Sequence, residues 1–188
     1  MAVLRIEGYV IVSADGMLAN ADGVMPDSLK FEGDQRFFNA ALDRVDLIVH
    51  GRHSFEDQPN SPKRRRLVLT RSVPGLAADP RNANAILWNP AGASFADACN
   101  RSSVVDGTVA IIGGPTVFAM FLDCYDTFWL SQAPHVSLPD GLGAFPGIPP
   151  LSAEDVLRRA GLQPQEQLPL EARSDVTVTA WRRASSPD

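Results

Sequence analysis

Apolar positions along this chain fall in short dense runs separated by polar and Gly/Pro-rich stretches. "AVLRIEGYVIVS" (Ala2–Ser13) is β-branched and largely apolar, reads as a central strand, and stops at the turn signal Ala14-Asp15-Gly16. Similar runs predict strands over Asp46–His50 ("DLIVH"), Arg65–Arg71, Asn84–Trp88, Thr108–Gly114 and Asp126–Pro134. Helical spacing intervenes. "DQRFFNAAL" (Asp34–Leu42) gathers Phe37, Phe38, Ala41 and Leu42 on one side. Short helices are expected over "RHSFED" (Arg52–Asp57), Ser94–Ser102 and Pro115–Asp123, the last with proline at its first position, and over "EDVLRRAG" (Glu154–Gly161). The tail, Gly161–Arg183, predicts two strands joined as a hairpin. Two loops are long: "LANADGVMPDSLKFEG" (Leu18–Gly33) and Ser137–Pro150. Long loops inside compact domains tend to be functional or disordered.

Strands alternating with short helices favour an α/β fold with a mostly parallel sheet and an antiparallel C-terminal pair. At 188 residues the expectation is one domain, residues 1–188, without repeat or linker. Composition is that of an ordinary globular protein, 45% hydrophobic and 21% charged. A net charge of −5 argues against a nucleic-acid binder that relies on a broad basic face. No 18-residue apolar segment and no basic leader is seen, so the expectation is a cytoplasmic protein without membrane contact, with Cys99 and Cys124 reduced. His50, His53 and His135 do not form a metal-binding set, and no metal is expected.

Candidate chemistry clusters at the strand exits. "LIVHGRHS" and "VAIIGGPTV" each run from a buried strand into glycine, then into a predicted helix with a hydroxyl near its first turn. Free N–H groups at a helix start attract an anion, and ligands of open α/β sheets bind beyond the carboxyl ends of the strands. Two such starts suit a pyrophosphate. Standing alone, a Gly-Gly pair is more often a plain turn, and neither segment is a Walker A loop or a G-x-G-x-x-G fingerprint. A third exit, Thr70-Arg71-Ser72, adds hydroxyls and a guanidinium. With Arg52 it would suit the 2′-phosphate that separates NADP from NAD, because Arg grips phosphate in bidentate fashion; an ordinary solvated loop is the alternative.

Asp34 opens the predicted helix, where its simplest role is N-cap. Yet it follows the Met25-Pro26 loop and precedes the adjacent aromatics Phe37 and Phe38. A carboxylate beside an aromatic wall would hydrogen-bond the amidine-like edge of a flat heterocycle, with Phe38 packed on the ring. Core packing of both phenylalanines is the plainer reading.

Taken together, these segments resemble the dihydrofolate reductase superfamily, which includes the pyrimidine reductase of riboflavin biosynthesis. "HGRHSFED" resembles the family's Gly-Arg-x-Thr/Ser turn at the NADPH phosphates, and "VAIIGGPTVFAMFLD" its Gly-Gly segment at the pyrophosphate. "IEGYVIVSADGMLA" resembles the strand and turn beside the nicotinamide, and "MPDSLKFEGDQRFF" the mobile loop and acid-bearing helix. "TFWLSQAP" places Ser131 where the family keeps a hydroxyl near that acid.

The resemblance implies a three-layer α/β/α fold with a central mostly parallel mixed sheet, and NADPH as cofactor. It assigns catalysis to Asp34 and Ser131, and substrate contact to Phe38, Met25 and Arg64. The cofactor would be held by Ile11, Leu18, Gly51, Arg52, His53, Ser54, Thr70, Arg71, Ser72, Gly113, Gly114, Pro115, Thr116 and Val117. Lys63-Arg64-Arg65-Arg66 would hold a folate carboxylate or a ribose phosphate. Asp27 stands where folate reductases carry Trp, and "SADG", "RVDLIVHG" and "AP…DGLGAF" look closer to the riboflavin branch, although Ile112 replaces that branch's usual acidic residue. The implied activity is therefore hydride transfer to a pterin-like or ribosylamino-pyrimidine substrate, the riboflavin type preferred and dihydrofolate the alternative. A non-catalytic nucleotide-binding protein and a flavin-binding reductase are the other readings. The resemblance also makes a homodimer plausible, though no segment of the sequence demonstrates it.

Overall fold

In a computed structural model of the chain, residues 3–184 are described, so Ala2 of the predicted opening strand lies outside them. In chain order the strands are β1 (Leu4–Ser13), β2 (Met17–Ala19), β3 (Leu47–Gly51), β4 (Arg66–Leu69), β5 (Leu76–Asp79), β6 (Asn82–Trp88), β7 (Gly107–Ile111), β8 (Thr127–Ala133), β9 (Leu142–Gly143), β10 (Leu162–Glu171) and β11 (Val176–Arg183). The helices are α1 (Glu32–Leu42), α2 (Phe95–Arg101), α3 (Pro115–Met120) and α4 (Ala153–Arg159). Nine strands form one sheet in the order β10-β11-β8-β1-β7-β3-β4-β6-β5. The block from β8 to β6 is parallel, and antiparallel pairing is confined to β5 with β6 and to β8-β11-β10.

Side-chain alternation splits the strands between two apolar layers. Leu47 and Val49 of β3 join the larger layer with Val109 and Ile111 of β7. That layer is closed by Cys99 of α2, Phe118 of α3 and Leu157 of α4. Ile48 and Ala110 turn to the opposite face, where Ala41 and Leu42 of α1 cover them together with Tyr9. This is the expected three-layer α/β/α arrangement.

Several local expectations are corrected. No helix forms over Arg52–Asp57; residues 52–60 run as turns and irregular backbone. Helix α1 starts two residues earlier than its Asp signal, with Phe31 at the N-cap position, so Asp34 is inside the first turn and is not a cap. Glu171 of the C-terminal hairpin instead accepts the Gly33 N–H, at 3.2 Å. A Cβ on Gly33 would overlap the Leu170 carbonyl, so this close approach requires glycine. The antiparallel edge strand β5 and the small β2–β9 ribbon were not foreseen; the ribbon ties the loop after β1 to the Gly/Pro-rich loop.

Candidate active site

A cleft of about 660 Å³ opens beyond the carboxyl ends of β1 and β7. Its walls are the first turns of α1, the loop carrying Met25, and residues 53–58.

At one end two strand exits meet. The Gly51 N–H donates to the Gly113 carbonyl at 2.7 Å, and the Ser54 N–H closes a turn onto the Gly51 carbonyl at 2.9 Å. Gly113 has φ +114°, and its peptide to Gly114 is cis. A Cβ on Gly114 would sit 3.3 Å from the Ser54 hydroxyl oxygen, and one on Gly113 3.1 Å from the Phe118 ring. Without Cβ atoms the two glycines and the Ser54 hydroxyl form one polar, glycine-lined trough in the cleft wall. Because α3 has only six residues and no helix follows β3, this trough is built from turn backbone rather than from two helix dipoles.

At the other end Asp34 enters the cleft with Ser131 of β8. Burial pushes the Asp34 carboxyl up to about 6, with the Ser131 hydroxyl working against that rise. Aromatic rings line this end. Tyr9 and Trp129 stack at 6.5 Å with 15° between planes, and Phe37 meets Trp129 edge-on at 5.5 Å. Phe38 approaches Tyr9 at 6.3 Å. Glu7 fixes the pair from below, accepting from the Tyr9 hydroxyl at 2.5 Å and the Trp129 Nε1 at 3.1 Å. Such a wall suits a flat ring, with Asp34 placed to read its edge.

Arg64 does not reach this cleft. Its Nη2 donates to Asp43 and to the Asn39 side chain, both at 2.6 Å, and its Nη1 to Glu56 at 3.1 Å. Its side chain is 7% exposed, so the expectation that it grips a substrate carboxylate or phosphate is corrected: its outward donors are already used. Arg66 is sealed in the same way, donating to Glu56 at 2.7 Å and to the Ser61 carbonyl at 2.9 Å. His50 lies beside it, Nε2 3.2 Å from Arg66, and burial pulls its imidazole down to about 4.

Ten expected site residues line the one cleft: Ile11, Leu18, Met25, Asp34, Phe38, His53, Ser54, Gly113, Gly114 and Ser131. Gly51 lies just behind it, backed by Val117, whose side chain belongs to the core and not to the lining. Arg52 points outward, with its Nε on His53 at 2.9 Å. Thr70, Arg71 and Ser72 follow β4, the neighbour of β3, where the Thr70 hydroxyl donates to the Ser72 hydroxyl at 2.9 Å. Pro115 and Thr116 open α3 outside the lining. Phe37, read with Phe38 as an aromatic wall, also lines it, whereas sequence reasoning missed Tyr9, Lys30 and Trp129 as lining residues. The period-two spacing of Tyr9 and Ile11 was a signal that would have found the first.

No protein-family model matches the sequence, and no curated protein matches it. Among solved structures, the fold is similar to dihydrofolate reductase from Enterococcus faecalis complexed with NADP(H) and RAB-propyl. The TM-score is 0.66 at 16% identity, over 96% of this chain and 97% of that one. It is also similar to a protein from Shewanella sp. PV-4 named provisionally for riboflavin biosynthesis, with TM-score 0.65 at 19% identity, over 96% and 99%. The fold is dihydrofolate reductase-like.

Proposed function

We propose that the chain is an NADPH-dependent reductase that delivers a hydride to a flat nitrogen heterocycle. The observation that carries this is one cleft holding both a glycine-lined trough beside Ser54 and a carboxyl, Asp34, shifted to about 6 against an aromatic wall. Ser54 and the Gly113–Gly114 backbone would hold the cofactor phosphates, and Arg52 and Arg71 the 2′-phosphate. When bound, NADPH supplies the hydride. Phe38 and Trp129 would fix the ring plane, Asp34 would orient a ring N–H and keep a proton available for the nitrogen, and Ser131 would hold that carboxyl in place.

Among substrates, a ribosylamino-pyrimidine of the riboflavin pathway is preferred to dihydrofolate. Asp27 after Met25-Pro26, where folate reductases carry Trp, favours it. The experiment is titration with NADPH, followed through Trp129 fluorescence, then NADPH consumption with the pyrimidine and with dihydrofolate. Saturable quenching with turnover of one substrate is expected. A folded sample that ignores millimolar NADPH would sink the proposal.

A further inference from the structure

We propose that Glu7 is a positioning residue for the substrate ring, acting through Tyr9 and Trp129. By taking both of their hydrogen-bond donors onto one oxygen, it locks the two ring planes and withdraws those donors from the cleft. The wall then meets only the flat face of the substrate, and polar reading of its edge is left to Asp34 and Ser131. The inference rests on the reductase reading of the cleft and deepens it.

Parallel pairing of β1 with β8 sets Glu7 opposite Thr127, Tyr9 opposite Trp129 and Ile11 opposite Ser131. Alternation along each strand puts these six side chains on one face of the sheet, in two adjacent rows. Tyr9, Ile11, Trp129 and Ser131 line the cleft, whereas Glu7 stands one step outside it. From there a single carboxylate oxygen, Oε2, accepts from the Tyr9 hydroxyl at 2.5 Å and from the Trp129 Nε1 at 3.1 Å. No ion pair includes Glu7 among the described residues, so these rings are what its half-buried carboxylate engages. Burial, and then the bond to Glu7, holds the Tyr9 hydroxyl well above the ordinary phenol range, so it stays a donor. Trp129 is steadied a second time by Arg182 of β11, which lies over its ring at 5.8 Å and is itself held by Glu166 at 2.8 and 3.0 Å. Phe37 and Phe38, the other rings of the wall, carry no donor. Without Glu7, a phenol and an indole N–H at the cleft would lack their acceptor, which is costly for buried groups. They would then compete with Asp34 for the polar edge of the ring.

The test measures NADPH binding first, then kcat and KM with the pyrimidine and with dihydrofolate, and the near-ultraviolet circular dichroism of each variant. Glu7→Ala should raise KM by about tenfold and leave kcat within about threefold, since it disturbs ring binding and not the chemistry. Glu7→Gln, whose amide oxygen can accept from both donors, should bring KM back to within about threefold of wild type. Adding Tyr9→Phe to Glu7→Ala should recover part of the loss, because the freed hydroxyl is gone. Glu7→Ala should also lose the dichroism band that Trp129→Phe removes, and Glu7→Gln should keep it. Glu7→Met, of similar length and without an acceptor, replaces the alanine variant if that one melts early. An unchanged KM, a retained band, or a loss that glutamine fails to rescue overturns the inference. Failure of wild type to bind NADPH, or to turn over either substrate with NADPH bound, would instead strike the reductase reading, and the band alone then decides whether Glu7 sets the wall.

Discussion

The Gly51 N–H and the Gly113 carbonyl, 2.7 Å apart, join the exits of β3 and β7 into one surface. The hydroxyl of Ser54 and the bare Cα of Gly114 face each other across it. A methyl group on Gly114 would fill that trough while touching only a side-chain oxygen that can rotate. Gly114→Ala is therefore expected to keep the fold, with Tm within a few degrees of wild type, and to weaken NADPH about tenfold or more, roughly 1.4 kcal/mol. Fluorescence titration alongside a thermal melt checks both halves. Unchanged affinity would show that nothing is bound against Ser54 and the glycines.

Arg52 and Arg71 stand exposed beyond adjacent parallel strands. Neither is paired with a carboxylate among the described residues, so each is available to a phosphate. Replacing either by alanine should lower NADPH affinity by about 1–2 kcal/mol in low salt, less at high ionic strength, and leave NADH untouched. Isothermal titration with both cofactors distinguishes the outcomes. An equal loss for NADPH and NADH would place these arginines away from the 2′-phosphate.

Glu56 bridges Arg64 and Arg66 with its side chain 4% exposed, and it is the anchor of the irregular segment that carries Ser54. Glu56→Ala would leave two buried guanidinium groups short of a partner. The expected loss is about 3–5 kcal/mol of unfolding free energy, with Glu56→Gln intermediate. Urea denaturation of the two variants measures it. A loss below 1 kcal/mol would mean that water reaches the cluster and that the segment is held by other contacts.

The same cluster shows where the sequence was readable and where it was not. Strands were legible because alternation and apolar density are local properties, and Ile48 against Leu47 and Val49 is settled by parity alone. "KRRR" read as a run that would grip a carboxylate or a phosphate. Only the register of β4 turns Arg66 inward, and only the fold delivers Glu56 to it across residues with no period of their own. Asp34 was legible as a candidate and does line the cleft, yet its simplest reading was a cap. Its signal was confused because the true N-cap, Phe31, has no capping side chain, and Glu171 arrives from the far end of the chain to serve Gly33. The Gly-Gly and Gly-Arg turns were visible as motifs, but their contact belongs to strand order, with β7 lying directly beside β3.

Asp34 makes a claim about pH that a carboxyl in water would not. Its carboxyl is raised to about 6 by burial, so the folded protein holds that proton where the unfolded chain has released it. The contribution to stability is intact below pH about 4, declines as pH rises through 6, and is fully lost above it. With a shift of about two pH units, Asp34→Asn should gain up to about 3 kcal/mol on wild type between pH 4 and pH 8. Urea unfolding at the two pH values measures the difference, and a gap that does not widen with pH would mean the carboxyl is solvated. In catalysis the sign is the same. The protonated acid is the donor, so wild-type kcat/KM should fall as pH rises beyond about 6, while Asp34→Asn should show a flat profile at a rate lower by about 10²-fold or more. NADPH affinity should be unchanged in the variant, since Asp34 lies at the opposite end of the cleft from Ser54; a parallel loss of cofactor binding would make it a structural residue of α1 instead.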